Sequence, residues 1–478
     1  MARIVVIGAG VAGLASAIAA ARSGHHVTVI ERDAPEPPKT PQEAPGWERR
    51  GIPHFLMPHA FLARGVKTLR NQAPDIYAGL LDAGAIELRL SDKMPPGPRT
   101  AEDEDLLFLG CRRPVIEWVL RRKAAAESGI EFRTGTVVQN LMWENPGHLV
   151  PRARGVLTQD DEIAADLVIE ASGRSSSLND WIIDGGGTAC TEETSECGLV
   201  YYSRYYRFRS GRARPEGPWL FGPRAELGYM ETGTFWGDND TFSIVHTILP
   251  SDRDLRILRH PAAFTAALRT MPSFRELIDD DMVEPITPVG AMGQLRNTRR
   301  SFIKEERPVA TGVLAVGDAL AHTNPRYAWG LSLSLVHAFT LGKLLKRLGK
   351  DVETLALEFD VATRDDISAA YGAATATDAA REPYWTRKVD SIADPSDATL
   401  PLFLLWVLPM AGMRDSDIFR KAVRRLMFLD RPDELENDRA TIDRGRQLVK
   451  DMIAENPPPP PGPSRDELLQ TMRTAVGG

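Results

Sequence analysis

Apolar, β-branched residues run through Arg3–Ile7, stop at Gly8 and resume over residues 26–30; a breaker-free, Ala-rich stretch at 14–22 lies between them and ends at Gly24. This pattern predicts a buried strand, a tight turn, a helix and a second strand. Residues 34–50 are rich in proline and charge, which predicts a loop. Helical periodicity follows over about 58–70 and again over 114–128. Residues 130–132 and 136–141 have the pattern of short strands, and 165–171 that of a buried strand ending at Gly173.

The pattern changes over about 198–249. Val200–Phe208 and residues 234–248 are aromatic and β-branched with turn residues between them, as an antiparallel sheet requires. A buried-strand pattern returns at 313–316, followed by a loop and a long helix over about 330–348. Strand and helix alternation that is interrupted and then resumed predicts an α/β fold. In this reading a Rossmann-type dinucleotide-binding domain is assembled from 1–90, 105–180 and 300–350, and is interrupted by a mainly antiparallel β-sheet substrate domain at 181–299. Residues 351–455 read as a C-terminal helical region. Residues 456–478 read as a proline-rich linker, with a stiff run at 457–461, and a short tail helix opened by the capping box Ser464 to Glu467.

Composition narrows the function classes. The 478 residues are 43% hydrophobic and 26% charged, with a formal charge of −7, which gives no electrostatic reason to expect nucleic acid or an anionic membrane as partner. Cys111, Cys190 and Cys197 form no Cys-x-x-Cys pair, so reduced thiols and a cytoplasmic setting are expected. The apolar N-terminus lacks a basic flank and breaks at Gly8-Ala9-Gly10, unlike an export signal. The apolar run 400–413 contains Pro401 and Pro409 and falls short of the roughly 20 residues a membrane span needs; a buried or pocket-lining segment is expected.

The first motif with chemistry is Gly8-Ala9-Gly10-Val11-Ala12-Gly13, followed eighteen residues after Gly13 by Glu31. Gly8 permits the tight turn, Gly10 lets backbone approach a pyrophosphate, and Gly13 lets helix pack on strand. The helix N-terminus offers N–H groups to phosphate, and Glu31 accepts from a ribose. A dinucleotide site follows, without a choice between FAD and NAD.

Two later motifs make that choice by resemblance. Asp166-Leu167-Val168-Ile169-Glu170-Ala171-Ser172-Gly173-Arg174 resembles the second signature segment of the para-hydroxybenzoate hydroxylase-like flavoproteins. Gly317-Asp318-Ala319, with Pro325 seven and Gly330 twelve residues after Asp318, resembles their third. Arg49-Arg50-Gly51-Ile52-Pro53 with His59, and Cys111-Arg112-Arg113-Pro114, are similar to segments of a subgroup that includes polyketide and polyether flavin epoxidases.

The resemblance covers about residues 2–345 and implies FAD as cofactor. In it Asp318 meets the ribityl chain, and the Pro325-to-Gly330 loop lies against the isoalloxazine. The helix beginning near Gly330 and Leu331 aims N–H groups at the flavin, whose reduced form is anionic there. Arg49 and Arg113 would meet the diphosphate, and Ala12, Arg32, Val138 and Gly173 complete the expected cofactor contacts. Departures from the subgroup fall on the substrate side: His54 replaces its Gln, Met57 its first His, Ala321 the His after the third motif (with His322 one place later), and Ser332 its Asn.

The activity implied is monooxygenation: reduced flavin and O2 give a C4a-hydroperoxide, which hydroxylates or epoxidises a bulky apolar or aromatic small molecule, as in specialised metabolism. Electrons would come from NAD(P)H or a partner flavin reductase. A reductase of the geranylgeranyl-reductase type and a non-catalytic FAD-binding protein are the alternatives. The Trp-x-Trp-x-Ile-Pro signature of flavin halogenases is absent, as are a second GxGxxG and a redox Cys pair. The flavin carries the difficult chemistry, so no triad or metal cluster is required and no metal is expected. Candidate catalytic residues are Arg326, Tyr327 and His59. Candidate pocket residues are Tyr201, Tyr205, Trp236, His246 and Trp329. Oligomeric state is not readable from the sequence.

Overall fold

The strand Arg3–Ile7 lies at the centre of a five-stranded parallel sheet, in the order Val313–Ala315, Leu167–Glu170, Arg3–Ile7, His26–Glu31, Ile130–Thr134. Three separate stretches of chain thus form one sheet. The computed structural model describes residues 1–478 except 145, 146, 148, 149, 218, 387–397, 458–460 and 478. Every residue of Leu167–Glu170 is buried, with the helix Val11–Arg22 and the strand Arg152–Thr158 packed against it. Val11–Arg22 packs against the long helix Trp329–Leu348; Gly342 permits the contact, since a Cβ there would lie 2.8 Å from that of Ala19.

The second sheet is antiparallel, in the order Arg224–Glu226, Met230–Trp236, Thr241–Ile248, Val200–Phe208, Val283–Pro285. Its strands alternate between two faces. One face, with Tyr202, Tyr206, Met230, Trp236 and Phe242, packs on the helices Pro261–Thr270 and Arg465–Gly477. The other looks back toward the first sheet.

Several details differ from the sequence reading. The helix expected from residue 58 begins later, as Ala63–Gln72, because Phe61 forms an isolated bridge with Leu109 that keeps the preceding residues extended. The stretch 234–248 is a hairpin, Met230–Trp236 and Thr241–Ile248, turning through Asn239 and Asp240 at φ 49° and 56°. Asn and Asp tolerate that conformation, and hairpin turns of this hand use it. A three-stranded meander, Val138–Glu144, Arg152–Thr158 and Glu162–Ala164, replaces the single strand expected at 136–141.

Beyond residue 351 the described chain is helical, led by the 34-residue Val352–Trp385. Ser464 and Glu467 exchange the expected capping hydrogen bonds before Arg465–Gly477. Residues 458–460 of the proline run lie outside the described residues. Among the described residues no helix is long and apolar enough to cross a membrane. The apolar run at 400–413 folds as short helical pieces around a wide turn, in which Leu408 N donates to Phe403 O. Pro409 follows at once; a proline ring clashes with the carbonyl four residues back, and the wider turn accommodates it.

Candidate active site

A cavity of about 1130 Å3 runs from the Gly8–Gly13 turn to the inner face of the antiparallel sheet. Single-ligand pockets occupy about 300–1,000 Å3, so this one has room for a second molecule beside a cofactor. At one end, Gly8 stands at φ +97°, and a Cβ there would lie 2.8 Å from Ala171 O, so a side chain meets backbone. At Gly13 a Cβ would collide with Gly8 O. A Cβ on Gly10, by contrast, meets only Arg113 Nη2 at 4.0 Å: its open side is the cavity.

The helix Val11–Arg22 has neither a side-chain cap nor an acidic residue in its first turn, which leaves its N–H groups for an anion. The same holds for Trp329–Leu348, which follows Ala328 at φ 57°. Two uncapped helix ends thus open on one cavity. Asp318 also lines it, with no protein donor to its carboxylate among the described residues; His322 Nε2 approaches only to 4.0 Å. The residues present fit FAD: two uncapped helix ends that suit anionic groups, and between them Asp318, a carboxylate with no protein donor that suits a polyol. Ala12, Arg32, Val138, Gly173, Pro325, Gly330 and Leu331 line the same cavity.

Glu31 is held in place by the protein around it. Its Oε2 accepts from Ala9 N and Arg49 Nη2, both at 2.9 Å, and Oε1 accepts from Asp33 N. Arg49, with 2% of its side chain exposed, also reaches Asp33 at 3.4 Å and Glu117 at 3.2 Å. Its single guanidinium is shared by three carboxylates, so it fixes the orientation of Glu31 besides lining the cavity. Arg113 donates to Glu117 at 2.7 Å and sits against His54 and His59. Burial, then the Arg113 charge, holds His54 far below the ordinary imidazole range and His59 at about 3. Both imidazoles are neutral at pH 7.

The loop expected to face the flavin is locked from behind. Asn324, fully buried, accepts from Arg326 N at 3.0 Å and from the Tyr201 hydroxyl, and donates to Asp378 Oδ1 at 2.9 Å. Asp378 also accepts from Tyr327 Oη at 2.8 Å, Arg381 Nη1 at 2.8 Å and Asn297 Nδ2 at 2.8 Å. Arg326 donates to both oxygens of Glu231, at 2.8 and 2.6 Å. Nε and Nη2 of Arg326 and the Tyr327 hydroxyl are therefore engaged by protein partners, which fixes the loop's shape. Trp329 stacks between Tyr327 and Phe428.

Of the pocket residues expected from the strands, Tyr201 and Trp329 line the cavity. Tyr205, Trp236 and His246 do not, and these three are corrections. Tyr205 shares the face of Tyr201 but lies four residues further along, roughly 13 Å, beside the buried Arg112–Asp238 pair. Trp236 and His246 have the opposite parity. Trp236 belongs to the core behind the sheet, and His246 pairs with Thr232 and packs edge-on to Phe264. A shift of one residue reverses a strand's face.

Residues not anticipated complete the site. Glu231, Gly233 and Phe235 supply the cavity face of their strand, and Arg224 and Glu226 come from the edge strand beside it. Leu405, Trp406, Met410 and Met413, from the apolar run at 400–413 expected to be buried or pocket-lining, also line the cavity. Of the residues not named individually, those of the apolar 400–413 run and Asn324, next to Pro325, had a usable signal in the sequence.

Residues 3–106 match the family model described as FAD dependent oxidoreductase. The chain is 27% identical over 453 residues to Protein Rv3254 of Mycobacterium tuberculosis, covering 86% of this chain and 90% of that one. Three solved structures share its fold. The flavin-dependent brominase Bmp2 aligns with TM-score 0.60 at 16% identity, over 95% of this chain and 99% of its own. PqsL of Pseudomonas aeruginosa, a probable FAD-dependent monooxygenase, aligns with TM-score 0.58 at 12% identity, over 80% and 98%. OxyS anhydrotetracycline hydroxylase of Streptomyces rimosus aligns with TM-score 0.56 at 18% identity, over 90% and 76%. Residues 3–106 of the chain thus match FAD-dependent oxidoreductases, on a fold the chain shares with flavin-dependent hydroxylating and brominating enzymes.

Proposed function

We propose that this protein is an FAD-dependent monooxygenase that places one oxygen atom of O2 into a bulky, flat, largely apolar small molecule. The observation that carries this reading is the continuity of one cavity from the dinucleotide cradle to an apolar chamber walled by Phe221, Phe235, Leu405, Trp406 and Met413. Bound FAD, once reduced by NAD(P)H or a partner reductase, supplies the electrons that activate O2.

The protein's own residues bind, orient and exclude water. The uncapped N-terminus of Trp329–Leu348 favours negative charge at its mouth. Asp378, through Tyr327 and Asn324, keeps the Pro325-to-Gly330 loop in one shape. The 400–413 segment screens the chamber from solvent, which favours oxygen transfer to substrate over its loss to water. His54 and His59, neutral beside Arg113, add no second positive charge to that end of the cavity.

The test uses FAD-loaded protein, NAD(P)H or photoreduced flavin, labelled O2 and a panel of polycyclic aromatic and polyketide-type substrates. One labelled oxygen atom per product molecule is expected. Substrate turnover that consumes reductant without O2 and yields a reduced, unlabelled product overturns the reading in favour of a reductase.

A further inference from the structure

Arg113 opens the helix Arg113–Ala126, and its guanidinium carries five N–H donors in one plane. Nε donates to Glu117 Oε1 at 2.7 Å, one helical turn along. Nη1 has two hydrogens and meets two imidazole nitrogens, His54 Nε2 and, at 3.3 Å, His59 Nε2. Nη2 meets no protein acceptor among the described residues and lies 4.0 Å from where a Cβ on Gly10 would stand.

These contacts fix which nitrogen of each ring is bare. A guanidinium only donates, so both Nε2 atoms present lone pairs to Nη1. In His59 the other nitrogen, Nδ1, lies 2.8 Å from Met57 O, a carbonyl that only accepts, so Nδ1 carries the hydrogen. The two rings lie 5.6 Å apart between centres, and both line the cavity beside Gly10. A proton on either Nε2 would turn an acceptor into a donor facing a cation. Burial, then the Arg113 charge, depresses both rings; His59, Arg174 and His322 push His54 the same way. His322 has Asp318 at 4.0 Å. The nearby carboxylates are already engaged, Glu117 by Arg49 and Arg113, and Glu31 and Asp33 by Arg49.

The kind of acceptor matters. A carboxylate in place of either imidazole would hold Arg113 and also cancel its charge. An imidazole lone pair holds the planar fork and leaves the positive charge for an anion, to which a guanidinium bonds strongly. Resting on FAD as the cofactor, we propose that His54 and His59 are positioning residues, two uncharged acceptors that turn Arg113 Nη2 toward Gly10 to donate to the FAD diphosphate. The rings stay uncharged when FAD binds, so cofactor uptake draws no proton onto them.

Calorimetric FAD titration of the apoprotein, in buffers of different ionisation heat, counts the protons taken up per FAD. Between about pH 8 and 6, where an ordinary imidazole begins to charge, the count is expected to be the same in wild type, His54→Gln and His59→Gln. Glutamine still offers an uncharged acceptor, so His54→Gln is expected to bind FAD within about twofold of wild type, whereas His54→Leu loses about fivefold or more. Arg113→Met loses about tenfold or more. His54→Leu added to Arg113→Met costs nothing further, because no guanidinium is left to aim.

A proton taken up by the wild type and absent from either glutamine variant overturns the proposal: the rings would then bind the diphosphate as cations. An equal cost of His54→Leu with and without Arg113 also overturns it, since the ring would then act apart from the arginine. Apoprotein that binds no FAD refutes the cofactor reading itself, whereas tight FAD binding undiminished in His54→Leu refutes only this one.

Discussion

Tyr327 donates its hydroxyl hydrogen to Asp378 Oδ1 across 2.8 Å, joining the loop before the helix Trp329–Leu348 to the middle of a helix 51 residues further along the chain. Asp378 and Arg381 have 2% and 1% of their side chains exposed. The C-terminal helices are therefore part of the site's framework.

Breaking this pair leaves an uncompensated buried charge. Asp378→Ala is expected to destabilise the fold by about 3 to 5 kcal/mol, because Arg381 loses its carboxylate in a site closed to water. Pairing it with Arg381→Met restores a large share by removing the orphaned charge as well. Urea unfolding of the two variants decides the matter; equal losses in both refute the charge argument.

Arg49 permits a second test. It binds Glu31, Asp33 and Glu117 with one guanidinium. Arg49→Met leaves Glu31 and Asp33 without their cation, while Glu117 keeps Arg113, with an expected loss of about 3 to 5 kcal/mol and weaker FAD retention. Arg49→Lys recovers only part, since an ammonium has no planar fork to reach three acceptors. The readouts are thermal unfolding and flavin released on gel filtration.

Gly10 separates cofactor binding from folding. A methyl group there meets no protein atom closer than 4.0 Å but enters the cavity. Gly10→Ala is expected to fold with near wild-type stability while FAD affinity falls at least tenfold, about 1.4 kcal/mol. Gly13→Ala collides with Gly8 O and is expected to lose stability and FAD together. Calorimetric FAD titration of each apoprotein measures both effects.

Acid sensitivity follows from three histidines, the buried His246 and His337 and the half-buried His59. Burial holds His59 and His246 at about 3 and His337 at about 4, against an ordinary value of 6.5. Their folded values are depressed, so below pH 6.5 the unfolded chain binds more protons than the native one. The stability they contribute is complete above 6.5 and is lost as pH falls toward 4. Each adds a slope of up to about 1.4 kcal/mol per pH unit over that range. Replacing His246 by Gln is expected to flatten the slope by one such share, read from denaturation midpoints at pH 7, 6 and 5.

The cofactor end of the site was legible from local pattern. Gly8-Ala9-Gly10-Val11-Ala12-Gly13 and Glu31 need only a strand, a turn and a helix in sequence, and short-range sterics dictate that geometry. The loop from Pro325 and the helix after it were readable for the same reason, and their link to flavin came from family resemblance.

The substrate end was not legible, because it depends on registers and contacts that composition does not encode. Trp236 and Glu231 both lie on one short strand, and only the pairing with its neighbours sends Glu231 into the cavity and Trp236 away from it. Asp378 beneath Tyr327 is an encounter between distant parts of the chain. Residue order alone thus determined a nucleotide-binding α/β chain. Tertiary packing decided which polar groups meet and which of them carry charge, because burial and opposing charge act only between groups that folding has already brought together.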